Sequence, residues 1–183
     1  LEDSPTINVS SDDTQGLKEP HEFPALSLAK TKKVTDLVKW ASDRAIFLSW
    51  KLDGLTLVVT YDNGKLTKVV TRGDGHVGTN ITHLAGAIHG IQKTIKEKGH
   101  LVIRGEAVIS YEDFEQFVLE SGEDYANPRN LASGALSLKD SEEVKRRNIH
   151  WIPFTLVYTE KTIVSWGEQM QYLRDLGFTV VDH

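Results

Sequence analysis

The sequence predicts an α+β fold of antiparallel β-sheets with flanking helices, and three observations carry that prediction. Two β-rich runs, 55–61 and 65–71, are joined by Asp62-Asn63-Gly64, and Asn-Gly accepts the positive φ angles of a type I′ hairpin turn. Two helix starts are marked by a serine with an acidic residue three places on, Ser110 with Asp113 and Ser165 with Glu168, the form of a capping box. Helices are interspersed among these strands without any internal repeat, the pattern of an α+β domain.

Taken in order, residues 1–22 are polar and acidic, with Pro5, Gly16 and Pro20 and little periodicity, and read as an extended lead-in. Residues 23–183 form the domain proper. Residues 35–41 have the pattern of one amphipathic helix. Residues 45–50 read as a hydrophobic strand that delivers Lys51 to a turn at Asp53-Gly54. After the hairpin, Arg72-Gly73-Asp74-Gly75 makes a second turn. Ile81, Leu84, Ala85, Ile88 and Ile91 are spaced for a helix within 80–98. A strand over 101–109 is expected to be interrupted at Gly105. Helices follow from Ser110 and over 127–138, the latter after Pro128. A strand spans 149–158. The helix opened by Ser165 stops at Gly177, and a strand starts over 178–181. His83 and His89 fall at ordinary helix positions.

Composition narrows the function classes. The 183 residues are 39% hydrophobic, enough for one full core. A formal charge of −5 gives no global basic field for nucleic acid. Such contact must use local patches: Lys30, Lys32 and Lys33, Arg129, or Lys145-Arg146-Arg147, the last offset by Glu142 and Glu143. The absence of cysteine excludes disulfides and thiolate metal sites and fits a reducing compartment. No apolar run reaches the ~18 residues of a membrane span, and no basic-then-apolar leader is present. A chain starting at Leu1 reads as a processed or excised piece.

Four polar motifs fall on strand ends and turns, where sites concentrate. They are Lys51-Leu52-Asp53-Gly54; Thr71-Arg72-Gly73-Asp74-Gly75; Arg104-Gly105-Glu106; and Ala126-Asn127-Pro128-Arg129-Asn130. Each has a plain structural alternative. A K-x-D-G match arises by chance in about 4% of chains this long. The Gly-Asp-Gly is by itself a turn, Glu106 a solvent-side strand residue, and Pro128 a helix start. Their order and spacing together argue against coincidence.

In that order, with Ser4-Pro5-Thr6, Pro24-Ala25-Leu26-Ser27-Leu28 and the segment from Leu173 to Val180, the chain resembles the adenylation domain of bacterial NAD-dependent DNA ligases. The resemblance covers almost the whole chain and implies that family's nucleotidyltransferase fold. The Thr-Arg-Gly-Asp-Gly and Ala-Asn-Pro-Arg-Asn motifs belong to the NAD-dependent branch; ATP-dependent ligases and capping enzymes share mainly the lysine motif and the later glutamate. The resemblance implies that Lys51 attacks the α-phosphorus of NAD to give lysyl-AMP, with Asp53 positioning it. It implies Arg72 near the nucleotide or phosphates, Arg129 near the phosphates, Glu106 on the ribose, and Ser27-Leu28 lining the adenine pocket, with Ser49 facing the adenine amino group. Phe154 falls where the family usually has a tyrosine against the base. Mg2+ is implied as cofactor and nicked double-stranded DNA as partner. A cytoplasmic, monomeric protein with no membrane association is implied as well.

Departures from the family pattern are informative. Ser49 stands where the family usually has a glutamate, and Ser137 replaces a second arginine. The family also has a small upstream domain that binds nicotinamide mononucleotide, a downstream D-G-V-V-[IV]-K strand with a further lysine, and later DNA-binding modules. A chain without them is expected to catalyse poorly alone. Two alternatives follow: a catalytically degenerate paralogue that binds nucleotide or DNA, and an RNA-directed nucleotidyltransferase, which the two NAD-branch motifs disfavour.

Overall fold

A computed structural model describes residues 17–183. Most of the expected lead-in, and with it Ser4-Pro5-Thr6, lies outside the described residues. The architecture is α+β. Its centre is a four-stranded antiparallel sheet of order β3-β2-β5-β6, where β2 is Leu55–Asp62, β3 Lys65–Thr71, β5 Leu101–Val108 and β6 His150–Thr159. A small two-stranded sheet pairs β1, Lys18–Pro20, with β4, Val77–Thr79. The expected hairpin turn joins β2 to β3, with φ of 49° at Asn63 and 74° at Gly64.

Strand alternation divides the large sheet into two faces. One carries Leu57, Val59, Tyr61, Leu101, Ile103, Ala107 and Trp151, all fully buried. The helices α2 (Tyr111–Ser121), α3 (Pro128–Leu136), α4 (Ser141–Lys145) and α5 (Trp166–Asp175) supply Phe117, Leu131, Ala135, Val144, Met170 and Leu173 to that same core. Ser110 accepts from the Asp113 N–H, Asn127 from Asn130 and Ser165 from Glu168, and Glu168 completes a capping box. Among the described residues, no helix is long and apolar enough to cross a membrane.

The other face is mostly open. Ala25, Val58 and Val102 form a small second cluster at one end, with Phe23 packed against it. Residues 21–28 lie across this end as a strap. The His21 N–H donates to the His76 carbonyl (2.8 Å), the Ala25 N–H to Gly75 (2.7 Å), and Arg104 to the Pro24 carbonyl (3.1 Å).

Five sequence expectations are corrected. Residues 45–50 form no strand: the Trp50 N–H donates to the Asp182 carbonyl at 3.2 Å, but no ladder is built, and Phe47, Leu48 and Trp50 are exposed. Residues 178–181 are likewise irregular, although the Val181 N–H reaches the Pro153 carbonyl at 2.9 Å. The helix over 80–98 shrinks to a 3-10 turn at Thr82–Ala87. Its apolar residues are buried as the spacing suggested. Strand edges, however, take the following backbone groups: His89 and Ile95 donate to Ile149 and Gly64, and Lys93 accepts from Leu66. His89 is therefore no helix residue; its ring stacks on His150 with centroids 4.7 Å apart. Finally, β5 runs through Gly105 as one strand, and the irregularity there is confined to its pairing with β6, whose register shifts between Arg104 and Gly105. A side chain there would collide with the Trp151 indole, 2.6 Å from the Cβ position.

Candidate nucleotide site

The open sheet face carries Glu106 at the centre of the sequence-predicted residues. Register places Thr56 opposite Glu106 on adjacent strands, and the Thr56 hydroxyl donates to the Glu106 carboxylate at 3.0 Å. Burial raises the Glu106 pKa above the ordinary carboxylate range, while the Thr56 bond and the charges of Lys51 and Arg129 oppose that rise; Asp53 adds to it. Lys51, Asp53 and Arg129 thus lie within electrostatic reach of Glu106.

Asp53 accepts from Arg129 at 3.3 Å across 76 residues of chain. Arg129 sits in the first turn of α3, which Asn127 caps and Pro128 opens. Lys51 is exposed, in the irregular segment just before β2. Gly54 sets how closely that segment approaches the sheet, because a Cβ there would lie 2.0 Å from the Ala107 carbonyl oxygen. The lysine motif is thereby pressed against β5, the strand that carries Glu106. A cavity of about 600 Å³ opens beside this group, lined by Leu52, Asp53, Arg129, Val108, His150 and Ile152 among others.

At the strap end, Arg72 donates to the Ser27 hydroxyl at 3.0 Å. Arg104 lies close enough to Arg72 for their charges to interact; burial first, and then Arg72, lower its pKa. Among the described residues neither arginine has a carboxylate partner, and the Arg104 Nε is buried without a hydrogen bond. The face therefore offers cations at both ends and an acceptor in the middle, suited to a ligand with phosphates and hydroxyls.

Not every expected residue is engaged. Leu28 and Ser49 are exposed. Phe154 lies at the β5–β6 irregularity beside Arg104 and Gly105, and its carbonyl accepts from the Trp166 indole at 2.9 Å. Ser137 ends α3, its hydroxyl donating to the Gly134 carbonyl at 3.0 Å. Sequence reasoning missed Thr56 and the strap role of Arg104. Thr56 was legible in principle, since alternation from Gly54 puts it on the face of Val58.

Fold and motif order together define a nucleotidyltransferase domain of the adenylation class. The family model for the NAD-dependent DNA ligase adenylation domain matches residues 18–183. The chain is 42% identical over its whole length to DNA ligases of Lachnoclostridium phytofermentans and Ruminiclostridium cellulolyticum, covering 29% of each. It is 41% identical over 79% of its length to the DNA ligase of Leptospira biflexa, covering 22% of that protein. This chain belongs to the NAD-dependent DNA ligase adenylation domain family, and it spans under a third of the length of these relatives.

Proposed function

We propose that this domain takes AMP from NAD onto Lys51, as the first step of sealing nicks in duplex DNA within a longer, cytoplasmic ligase. The observation that carries this reading is the grouping of Lys51, Asp53 and Arg129 around Glu106, close enough for their charges to act on its carboxylate. The unprotonated Lys51 amine attacks the α-phosphorus. The P–N bond forms as the bond to the bridging pyrophosphate oxygen breaks, and nicotinamide mononucleotide leaves with that electron pair. The amine sheds its proton to solvent. Only the unprotonated amine is nucleophilic, so the step accelerates as pH rises.

Asp53 and Arg129 orient the lysine segment and face the phosphates, Arg72 holds Ser27 at the adenine end, and Glu106 accepts from the ribose. Catalysis of this kind rests on positioning and charge neutralisation. Transfer of AMP to a 5′-phosphate and attack by a 3′-hydroxyl follow in the longer protein. Among the described residues no three His, Cys, Asp or Glu side chains gather as a metal cage. Mg2+ is ordinarily held by one or two carboxylates together with substrate phosphates, so the Mg2+ that this reading implies needs no such cage, and none of the steps above runs through it.

The test is the intact mass of denatured protein after incubation with Mg2+ and either NAD or ATP. The expected result is a gain of one AMP from NAD only, lost in Lys51→Ala. A degenerate, binding-only domain is the second reading, favoured by Ser49 and Ser137. It predicts no adduct from either donor, even with the remainder of a ligase attached. An adduct from ATP or GTP instead would indicate an RNA-type nucleotidyltransferase.

A further inference from the structure

We propose that His100, held as an imidazolium between Asp62 and Glu22, is a positioning residue that locks the strap carrying Ser27 and Leu28 for nucleotide binding. This rests on the function proposed above.

The geometry is specific. His100 Nδ1 lies 2.5 Å from Asp62 Oδ1 and Nε2 2.8 Å from Glu22 Oε2. Ionised carboxylates only accept hydrogen bonds, and a neutral imidazole has a single N–H. Satisfying both partners at once therefore requires the ring to be doubly protonated. The two partners come from distant parts of the chain: Asp62 ends β2 and Glu22 belongs to the strap. Beside Glu22, the Phe23 ring stacks on Tyr158 (centroids 5.2 Å, planes 15° apart), and Tyr158 leans on His100 at 5.4 Å. The strap then continues through Pro24, bonded to Arg104, and Ala25, buried, to Ser27, bonded to Arg72. His100 thus fastens the outer end of the segment whose inner end faces the proposed adenine pocket.

The surrounding charges set the direction of the pH response. Asp62 and Glu22 face the ring, and Glu160, after β6, accepts from the His100 backbone N–H at 3.3 Å. Lys68 of β3 is paired with Glu19 and also acts on Asp62. On the loop before His100, Glu97 is paired with Lys161, and Lys98 lies beside it. The Asp62 hydrogen bond, chiefly, raises the His100 pKa against its partial burial, with Glu22 adding to the rise. A raised histidine contributes fully below its unfolded value near ~6.5 and loses its contribution as pH climbs through the folded value. Asp62 is held below its usual range, mainly by His100, and stays ionised across that window.

NAD affinity by calorimetry and hydrogen exchange of residues 21–28, corrected for its intrinsic pH dependence, are measured from pH 6 to 9. The 183-residue chain is compared with His100→Gln and His100→Arg. Affinity of the parent is expected to fall about 3- to 10-fold on going to pH 9, the range of two partly exposed ion pairs, with strap exchange rising in step. His100→Gln should bind weakly and exchange fast throughout, and His100→Arg, a permanent cation, should bind tightly with a flat profile. Adduct formation at saturating NAD should meanwhile accelerate with pH, separating affinity from rate. Parent-like affinity and protection in His100→Gln, or a persisting slope in His100→Arg, overturns the proposal. If saturating NAD yields no adduct at any pH even with the remainder of a ligase attached, the proposed function falls, whereas an adduct with a flat affinity profile removes only the role of His100.

Discussion

Residues 26–53 and residues 54–181 of this chain obey different rules. In the first stretch only Ala41 and Leu52 are even half-buried; the helix α1, Val34–Ala41, buries none of its side chains. In the second, nearly every apolar side chain on one sheet face is sealed into a single core. Yet the exposed stretch carries Ser49, Lys51 and Asp53, and the packed one carries Glu106 and Arg129. The proposed chemistry joins a rigid acceptor surface to a nucleophile held by few bonds. Such an arrangement gives precise positioning on one side and freedom of approach on the other.

Two tryptophans test this contrast most strongly. Trp151 is 1% exposed, with its indole N–H donating to the Leu57 carbonyl at 3.3 Å, whereas Trp50 is 74% exposed. Trp151→Ala should cost about 3–5 kcal/mol in denaturant unfolding, and Trp50→Ala within about 0.5 kcal/mol. Equal losses would break the comparison.

Gly54→Ala probes the seam between the regions. Its Cβ would lie 2.0 Å from a backbone oxygen, so the lysine segment must lift away, at about 1–3 kcal/mol. Adduct formation should fall along with stability; full activity in a destabilised variant would show that the close approach is structural only.

Glu106→Gln sharpens the contrast by pH. Burial raises the pKa of this carboxyl, so the folded state binds a proton more tightly than the unfolded one. Parent stability therefore declines as pH rises from the unfolded value of ~4.3 through the folded one. The glutamine variant should lack that decline, matching or exceeding the parent at neutral pH, while binding NAD more weakly. Thermal melts from pH 4 to 8 with parallel NAD titrations measure both.

Asp53→Asn should be the mildest in stability. Asp53 and Arg129 have side chains 71% and 57% exposed, and such pairs contribute under about 1 kcal/mol. Its effect should appear in the adduct rate, since the lysine segment loses its tie to α3. An unchanged rate would remove Asp53 from the site.

The division also explains what could be read from the residues alone. Strands β2 and β3, their Asn-Gly turn and the serine caps of α2 and α5 follow from local chemistry, and each appears where expected. Residues 45–50 have a strand's composition, but a strand needs a partner, and composition cannot say whether one lies alongside. The 80–98 stretch has apolar residues at helical spacing because they must reach the core; backbone bonding to neighbouring strands decides their conformation. Within the site, motif residues were visible because turns and strand ends advertise themselves. His100 was not, because its significance lies in a partner 78 positions away along the chain.

The strap has a practical consequence. Lys30, Lys32 and Lys33 are exposed beyond its last tie, which makes them sites for trypsin. The released N-terminal peptide would keep its β1–β4 pairing and its bonds to His76, Gly75 and Arg104. A nicked sample would therefore run as two fragments on a denaturing gel while eluting as one species from a sizing column.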